Sequence, residues 1–154
     1  MDKVSGKAHS EVPDFRFCRT RDTDGVVVAR CPMADEEMFC YLGGTRCLLE
    51  RAATFIDDAL QVGGTVFVYC THGVIRSPTI ILWYLMRRRL NLLDACAFLK
   101  AKRSRISPTS GFLSLLEEEE ERCFRTRSNH NAVLAVLQVD RRDDFQQGLQ
   151  PGQV

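Results

Sequence analysis

In the segment VYCTHGVIRSP, Val68 to Pro78, a cysteine stands six residues before an arginine, and a serine follows the arginine directly. Those side chains and the short loop among them suit one task, holding a tetrahedral anion while a sulfur attacks its centre. A free thiol has a pKa of about 8.5, but thiols at helix N-termini or beside cations fall to about 3.5 to 7.5, which gives Cys70 the means to be a nucleophile. Arg76 offers a planar fork to two oxygens of a phosphoryl group, a grip that lysine cannot make in bidentate form. Gly73 permits a tight backbone path. The amides of Thr71, His72, Gly73, Val74, Ile75, Arg76 and Ser77 are the donors that would line a phosphate cradle. The Ser77 hydroxyl can bond the sulfur and help it leave. His72 either touches substrate or is an ordinary histidine on a loop surface.

These groups act together only if the flanking elements aim them. Thr65 to Tyr69 (TVFVY) is rich in β-branched and aromatic residues and follows the turn pair Gly63 and Gly64, so it is expected as a short buried strand. Cys70 then sits at the carboxyl end of a strand, where open α/β sheets place their ligands. Thr79 to Arg89 is expected as a helix, with Pro78 near its first turn, where a missing N–H does no harm. The helix start adds partial positive charge to the loop amides. The six-residue spacing alone carries no weight, because Cys40 and Arg46 in CYLGGTR share it. That pair lacks the preceding strand and the hydroxyl after the arginine. It also follows Asp35, Glu36 and Glu37, which would repel an anion.

With its context included, the chain from about Phe15 to Cys123 resembles the catalytic domain of the dual-specificity protein phosphatases, within the cysteine-based tyrosine phosphatase superfamily. The small atypical members of the vaccinia-H1-related type are the nearest likeness. The matching pieces are PMAD (Pro32 to Asp35), RAATFIDDAL (Arg51 to Leu60), Val68 to Pro78, YLM (Tyr84 to Met86) and SPTSGF (Ser107 to Phe112), in the family's order. The resemblance implies a two-step hydrolysis on phosphorylated proteins: Cys70 as nucleophile, Arg76 binding phosphate, and Asp35 as general acid and then base. It implies no metal and no other cofactor. Protonating the leaving oxygen and splitting the reaction through a covalent intermediate both lower barriers. Glu36 and Glu37 adjoin Asp35, and a solvated acidic loop is the plain alternative there.

The sequence departs from the family in three places. Tyr69 stands where most members have histidine, so a less acidic Cys70 is expected. Thr109 and Ser110 stand where an asparagine usually braces the loop, so weaker bracing is expected. The family's opening strands and helix have no counterpart before Phe15.

The expected fold is α/β, a central and mainly parallel sheet flanked by helices and tyrosine-phosphatase-like, with an incomplete sheet as the alternative. Residues 1–13 form a polar N-terminal segment, 14–124 the phosphatase-like domain shortened at its N-terminus, and 125–154 a C-terminal tail. In that tail disorder is the default, and the apolar run Ala132 to Val139 offers a short covering helix as the exception. At 154 residues and 45 % hydrophobic content the chain can bury one core but hardly two. A net charge of +1 gives no argument for nucleic acid. No apolar run approaches the roughly 18 residues of a membrane span, and the N-terminus has no apolar core of a signal peptide. Seven cysteines without metal-like spacing suggest a reducing compartment, cytosol or nucleus. Nothing in the sequence sets an oligomeric state.

The remaining residues read as scaffold. Gly25 to Arg30 is expected as a strand leading to Asp35, or as one arm of a hairpin with Phe15 to Cys18 about the Asp24 and Gly25 turn. Leu48 to Gln61 has helical spacing and ends at Gly63. Asn91 with Asp94 resembles a cap opening a helix through Arg103, and another helix is expected from Gly111 to about Phe124. Its acidic run, Glu117 to Glu121, is read as a solvated face partly offset by Arg122 and Arg125, with docking of basic partners as the alternative. Arg87 to Arg89, Lys100, Lys102, Arg103 and Arg105 are read as solvated helix ends, or else as an attractor of acidic substrates. His9 and His130 carry no evident role. Against the enzyme stand two rivals: a weak or inactive relative that captures phosphorylated partners, and a truncated product with no biochemical role.

Overall fold

A computed structural model of the protein describes residues 18–21, 26–33 and 44–138. Strands β1 (Cys18–Arg21) and β2 (Val27–Arg30) pair antiparallel, with Cys18 opposite Arg30 and Arg21 opposite Val27. This is the hairpin alternative, moved three residues along on its first arm. Five helices follow among the described residues: α1 (Gly44–Gln61), α2 (Arg76–Arg87), α3 (Leu92–Lys102), α4 (Ser110–Phe124) and α5 (His130–Gln138).

Helix α1 buries Leu48, Leu49, Ala52, Ala53 and Ile56, the recurrence of one face of a 3.6-residue helix. Gly63 ends it in a left-handed conformation (φ 74°), and the Gly63 and Gly64 amides close back on the carbonyls of Leu60 and Ala59. Helix α2 is the centre of the packing. Its Leu82, Trp83 and Met86 are buried, and it contacts α1, α3 and α4. Asn91 caps α3 as expected, its side chain accepting from the Asp94 amide at 2.8 Å. Helix α5 lies against α3, with Val133 and Leu137 buried and Lys100 Nζ donating to the Leu137 carbonyl at 2.7 Å. It occupies the apolar run for which the sequence offered a covering helix.

The expected central parallel sheet is absent among the described residues, where the antiparallel hairpin is the only strand pairing. Thr65 to Tyr69, expected to supply its strand, take part in no ladder. Their side chains still alternate as a strand's do: Val66 and Val68 pack on the core, while Phe67 and Tyr69 are 83 % and 70 % exposed. Alternation and β-branching set which face turns inward, but a strand also needs a neighbour to take its backbone hydrogen bonds. Beside this segment lies an apolar groove of ≈ 320 Å³, whose described lining includes Val28 of β2, Ile56 of α1 and Val68 of the segment itself.

The acidic run corrects a second expectation. Glu117, Glu119 and Glu120 are buried, not solvated, because the face of α4 that packs on its neighbours carries them inward. Buried carboxylates persist only with partners, and each of these has some. Glu120 accepts from the Leu92 amide at 2.7 Å, the Ser128 amide at 2.6 Å and the Ser128 hydroxyl at 2.7 Å. Glu119 pairs with Arg46 of α1 and with Arg122, whose Nε lies 2.9 Å away. Glu117 pairs with the ring of His130, which gives that histidine a structural part.

Glu120→Ala leaves the buried Leu92 amide without its acceptor, so a loss of about 2 to 4 kcal/mol is expected in urea unfolding. Glu118→Ala, on the exposed face of the same helix, is expected to stay within about 0.5 kcal/mol of the parent. Equal effects from the two would mean that the buried carboxylate is not what ties α4 to α3.

Candidate active site

Helix α2 begins at Arg76, three residues before the expected start. Pro78 lacks the N–H that a first turn leaves unpaired anyway, so the helix can run back to Arg76. Its N-cap residue, Ile75, makes no side-chain cap. The sulfur of Cys70 takes up part of that role.

The Gly73 amide donates to Cys70 Sγ at 3.2 Å, and Ser77 Oγ lies 3.4 Å from the same sulfur. Burial pushes the thiol's pKa up, but the Ser77 hydroxyl and the backbone amides of Ser77, Gly73 and His72 outweigh it. They lower the thiol from 9.0 to about 6. Cys31 and Cys96 show what burial does to a thiol without such donors. Burial pushes Cys31 up to about 11, and burial followed by the charge of Glu120 pushes Cys96 up to about 12. Tyr69, expected to leave Cys70 less acidic than in the family, is not among the groups that act on the sulfur. Its ring turns outward and stacks on Phe67 at 5.6 Å, while the loop and Ser77 supply the donors to the sulfur.

The loop Thr71 to Ile75 returns on itself at Gly73, which has φ 66°. Arg76 Nη2 donates to Thr71 Oγ1 at 3.2 Å, which sets the guanidinium beside the loop's first residue. Behind the loop, Arg103 Nε donates to the Gly73 carbonyl at 2.9 Å and Arg103 Nη2 to the His72 carbonyl at 3.3 Å. The Ser107 amide donates to the Val74 carbonyl at 2.8 Å. Thr109 Oγ1 is buried and without a hydrogen-bond partner among the described residues. Arg103 and Ser107 thus hold the loop close to positions 109 and 110, where weaker bracing is expected.

The structure brings together Cys70, Thr71, His72, Gly73, Val74, Ile75, Arg76 and Ser77. Asp35, with Glu36 and Glu37, lies outside the described residues. Cys40 does too, whereas its apparent partner Arg46 sits in α1, bound to Glu119 and 5.7 Å above the Trp83 ring. Arg103 is the residue that sequence reasoning missed. It was grouped with solvated basic residues, and no periodicity marks a side chain that reaches 30 residues back from the end of α3. Others of that group are engaged as well, Arg87 with Glu50 and Arg88 with Asp57 at 3.8 Å. Among the described residues no cluster of three His, Cys, Asp or Glu side chains is placed to hold a metal ion.

The sequence model of the family described as dual specificity phosphatase, catalytic domain, matches residues 10–122. Dual specificity protein phosphatase 1 of Homo sapiens is 46 % identical over 91 residues, covering 56 % of this chain and 25 % of that protein. The chain spans 57 % of the length of the putative tyrosine phosphatase 123R of Invertebrate iridescent virus 6 and 19 % of dual specificity protein phosphatase 5 of Rattus norvegicus. Among solved structures, human DUSP28 superimposes with a TM-score of 0.54 at 33 % identity, covering 59 % of this chain and 62 % of that one. The human tyrosine phosphatase-like serine/threonine/tyrosine-interacting protein gives 0.54 at 29 % identity, covering 60 % and 59 %.

Iodoacetamide alkylation of Cys70 is expected to be half-maximal near pH about 6, while Cys31 and Cys96 stay inert at neutral pH. Ser77→Ala removes a donor that favours the charged form. The midpoint should move up, with alkylation about tenfold slower below pH about 6. A midpoint that ignores Ser77 would mean that its hydroxyl does not stabilise the thiolate.

Proposed function

Because the chain belongs to the dual-specificity phosphatase family, matched across residues 10–122, we propose that it hydrolyses phosphotyrosine in proteins, and phosphoserine or phosphothreonine as a second class, through a phosphocysteine. The observation that carries this reading is the Cys70 sulfur, held near pKa about 6 by Ser77 and the loop amides at the start of α2. A thiolate at neutral pH is the form that attacks phosphorus. As the S–P bond forms, the bond to the phenol or alcohol oxygen breaks, and Asp35 donates a proton to that oxygen. Arg76 and the loop amides meet the charge that grows on the equatorial oxygens. Water, with its proton taken by Asp35, then displaces the sulfur, and Ser77 O–H bonds the departing thiolate. The exposed aromatic pair Phe67 and Tyr69, immediately before Cys70, offers a surface for the peptide around the phosphorylated residue.

A second reading, capture of phosphorylated proteins without turnover, has an observation of its own. One solved structure that the chain resembles is that of the human tyrosine phosphatase-like serine/threonine/tyrosine-interacting protein.

Hydrolysis of an aryl phosphate and a phosphotyrosine peptide, in reductant and chelator, separates the two readings. Cys70→Ser is expected to abolish turnover. Arg76→Ala should lower kcat about 10² to 10³-fold, and Asp35→Asn about 10² to 10⁴-fold. Turnover that survives Cys70→Ser overturns the mechanism. A parent protein that melts cooperatively and binds the peptide without cleaving it supports capture.

A further inference from the structure

We infer that Arg103 is a positioning residue of the anion cradle, holding the carbonyls of His72 and Gly73 outward so that the amides of the same peptide units face the sulfur and the bound phosphate. The argument rests on the planarity of the peptide. In a trans unit the C=O and the following N–H point in opposite directions, and the chain has no cis bond among its described residues. The carbonyl of His72 and the amide of Gly73 belong to one such unit. Arg103 Nη2 holds the first at 3.3 Å, and the second donates to Cys70 Sγ at 3.2 Å. Pulling the carbonyl away from the pocket therefore aims the amide into it. The next unit repeats the arrangement. Arg103 Nε holds the Gly73 carbonyl at 2.9 Å, which turns the Val74 amide inward. In the third unit the Ser107 amide holds the Val74 carbonyl at 2.8 Å, which turns the Ile75 amide the same way.

One guanidinium thus fixes two consecutive donors, and the start of SPTSGF fixes a third. Gly73 fits the same design. A Cβ at that residue would lie 2.7 Å from Arg103 Nη2, so a side chain there would displace the guanidinium as well as strain the left-handed turn. Arg103 is itself anchored by its own amide, which closes α3 on the Leu99 carbonyl. It reaches the loop from outside the pocket, so its contribution is to geometry rather than to contact with phosphate.

The inference deepens the proposed function, and its test does not require turnover. Alkylation of Cys70 across pH and binding of tungstate, a tetrahedral oxyanion, are measured on the full chain and on Arg103→Ala, Arg103→Lys and Arg105→Ala. In Arg103→Ala, alkylation below pH about 6 is expected to slow about tenfold and tungstate affinity to fall about tenfold, because misaimed amides no longer favour the anion. Arg103→Lys, with a single donor head, should recover part of each. Arg105→Ala removes a charge nearby and should change neither. Arg103→Ala that matches the parent, or losses equal to those of Arg105→Ala, would overturn the inference and leave a diffuse charge effect. Should Arg103→Ala melt without cooperativity, Arg103→Gln keeps one amide donor and is read by the same two measurements, with an unchanged profile again counting against the inference. A parent protein without phosphatase turnover, but with the low-pH thiolate lost in Arg103→Ala, would sink the catalytic reading and keep this one.

Discussion

Backbone amides that neither a tight loop nor the first turn of a helix can satisfy internally converge on the sulfur of Cys70, and much of the described structure keeps them there. A helix start leaves its first N–H groups without intrahelical partners. Here the Ser77 amide meets the thiolate, joined by those of Gly73 and His72 from the loop. The arrangement is self-consistent in charge: partial positive donors stabilise an anionic sulfur, and the same donors suit a phosphate placed beside it. Such a cluster of like dipoles repels itself when no anion is present. The loop must therefore be held from behind, which is where Arg103 and Ser107 attach.

Holding the loop requires that α2 and the end of α3 stay fixed relative to each other. Apolar burial does most of this, with Trp83, Leu82 and Met86 of α2 in one buried cluster with Leu49, Cys96 and Phe112 of the surrounding helices. Buried carboxylates add direction to it. Glu120 ties α4 to the first turn of α3 and to Ser128, and Glu119 ties α4 to α1 through Arg46. A buried ion pair contributes little net stability once desolvation is counted, but removing one partner is costly. These groups thus work more as fixed joints than as sources of stability. Helix α5 covers the outer side of α3 and bonds Lys100, three residues before Arg103.

On the other side of the cradle the support is thinner. Residues 64–70 take part in no ladder, with Val66 and Val68 resting on the core and an apolar groove beside them. Cys70 is accordingly fixed by bonds that follow it in sequence rather than by a sheet that precedes it. The low thiol pKa survives this because each group that lowers it lies between His72 and Ser77.

Short-range chemistry was legible in the sequence. Cys70, Gly73, Arg76 and Ser77 lie within eight residues, so their types, the proline after them and the apolar helix beyond were enough to indicate a phosphate cradle without any tertiary contact. Caps and amphipathic faces were legible for the same reason: Asn91 reaches Asp94, and Leu48 to Ile56 recur within a few turns. Interactions between distant parts were not. The pattern of TVFVY sets which side chains face inward, but whether a partner strand takes up its backbone groups depends on another segment. Glu117 to Glu121 has the composition of a solvated face, and only the packing of α4 showed that three of the five turn inward to meet Arg46, Leu92, Ser128 and His130. Arg103 belonged to a basic cluster with no mark of its own, and its reach to His72 and Gly73 exists only because α2 and α3 pack together. Residue types and local spacing determined what chemistry this chain can attempt. Tertiary packing decided which polar groups are buried and which carbonyls are held, because those outcomes depend on neighbours that lie far away in sequence.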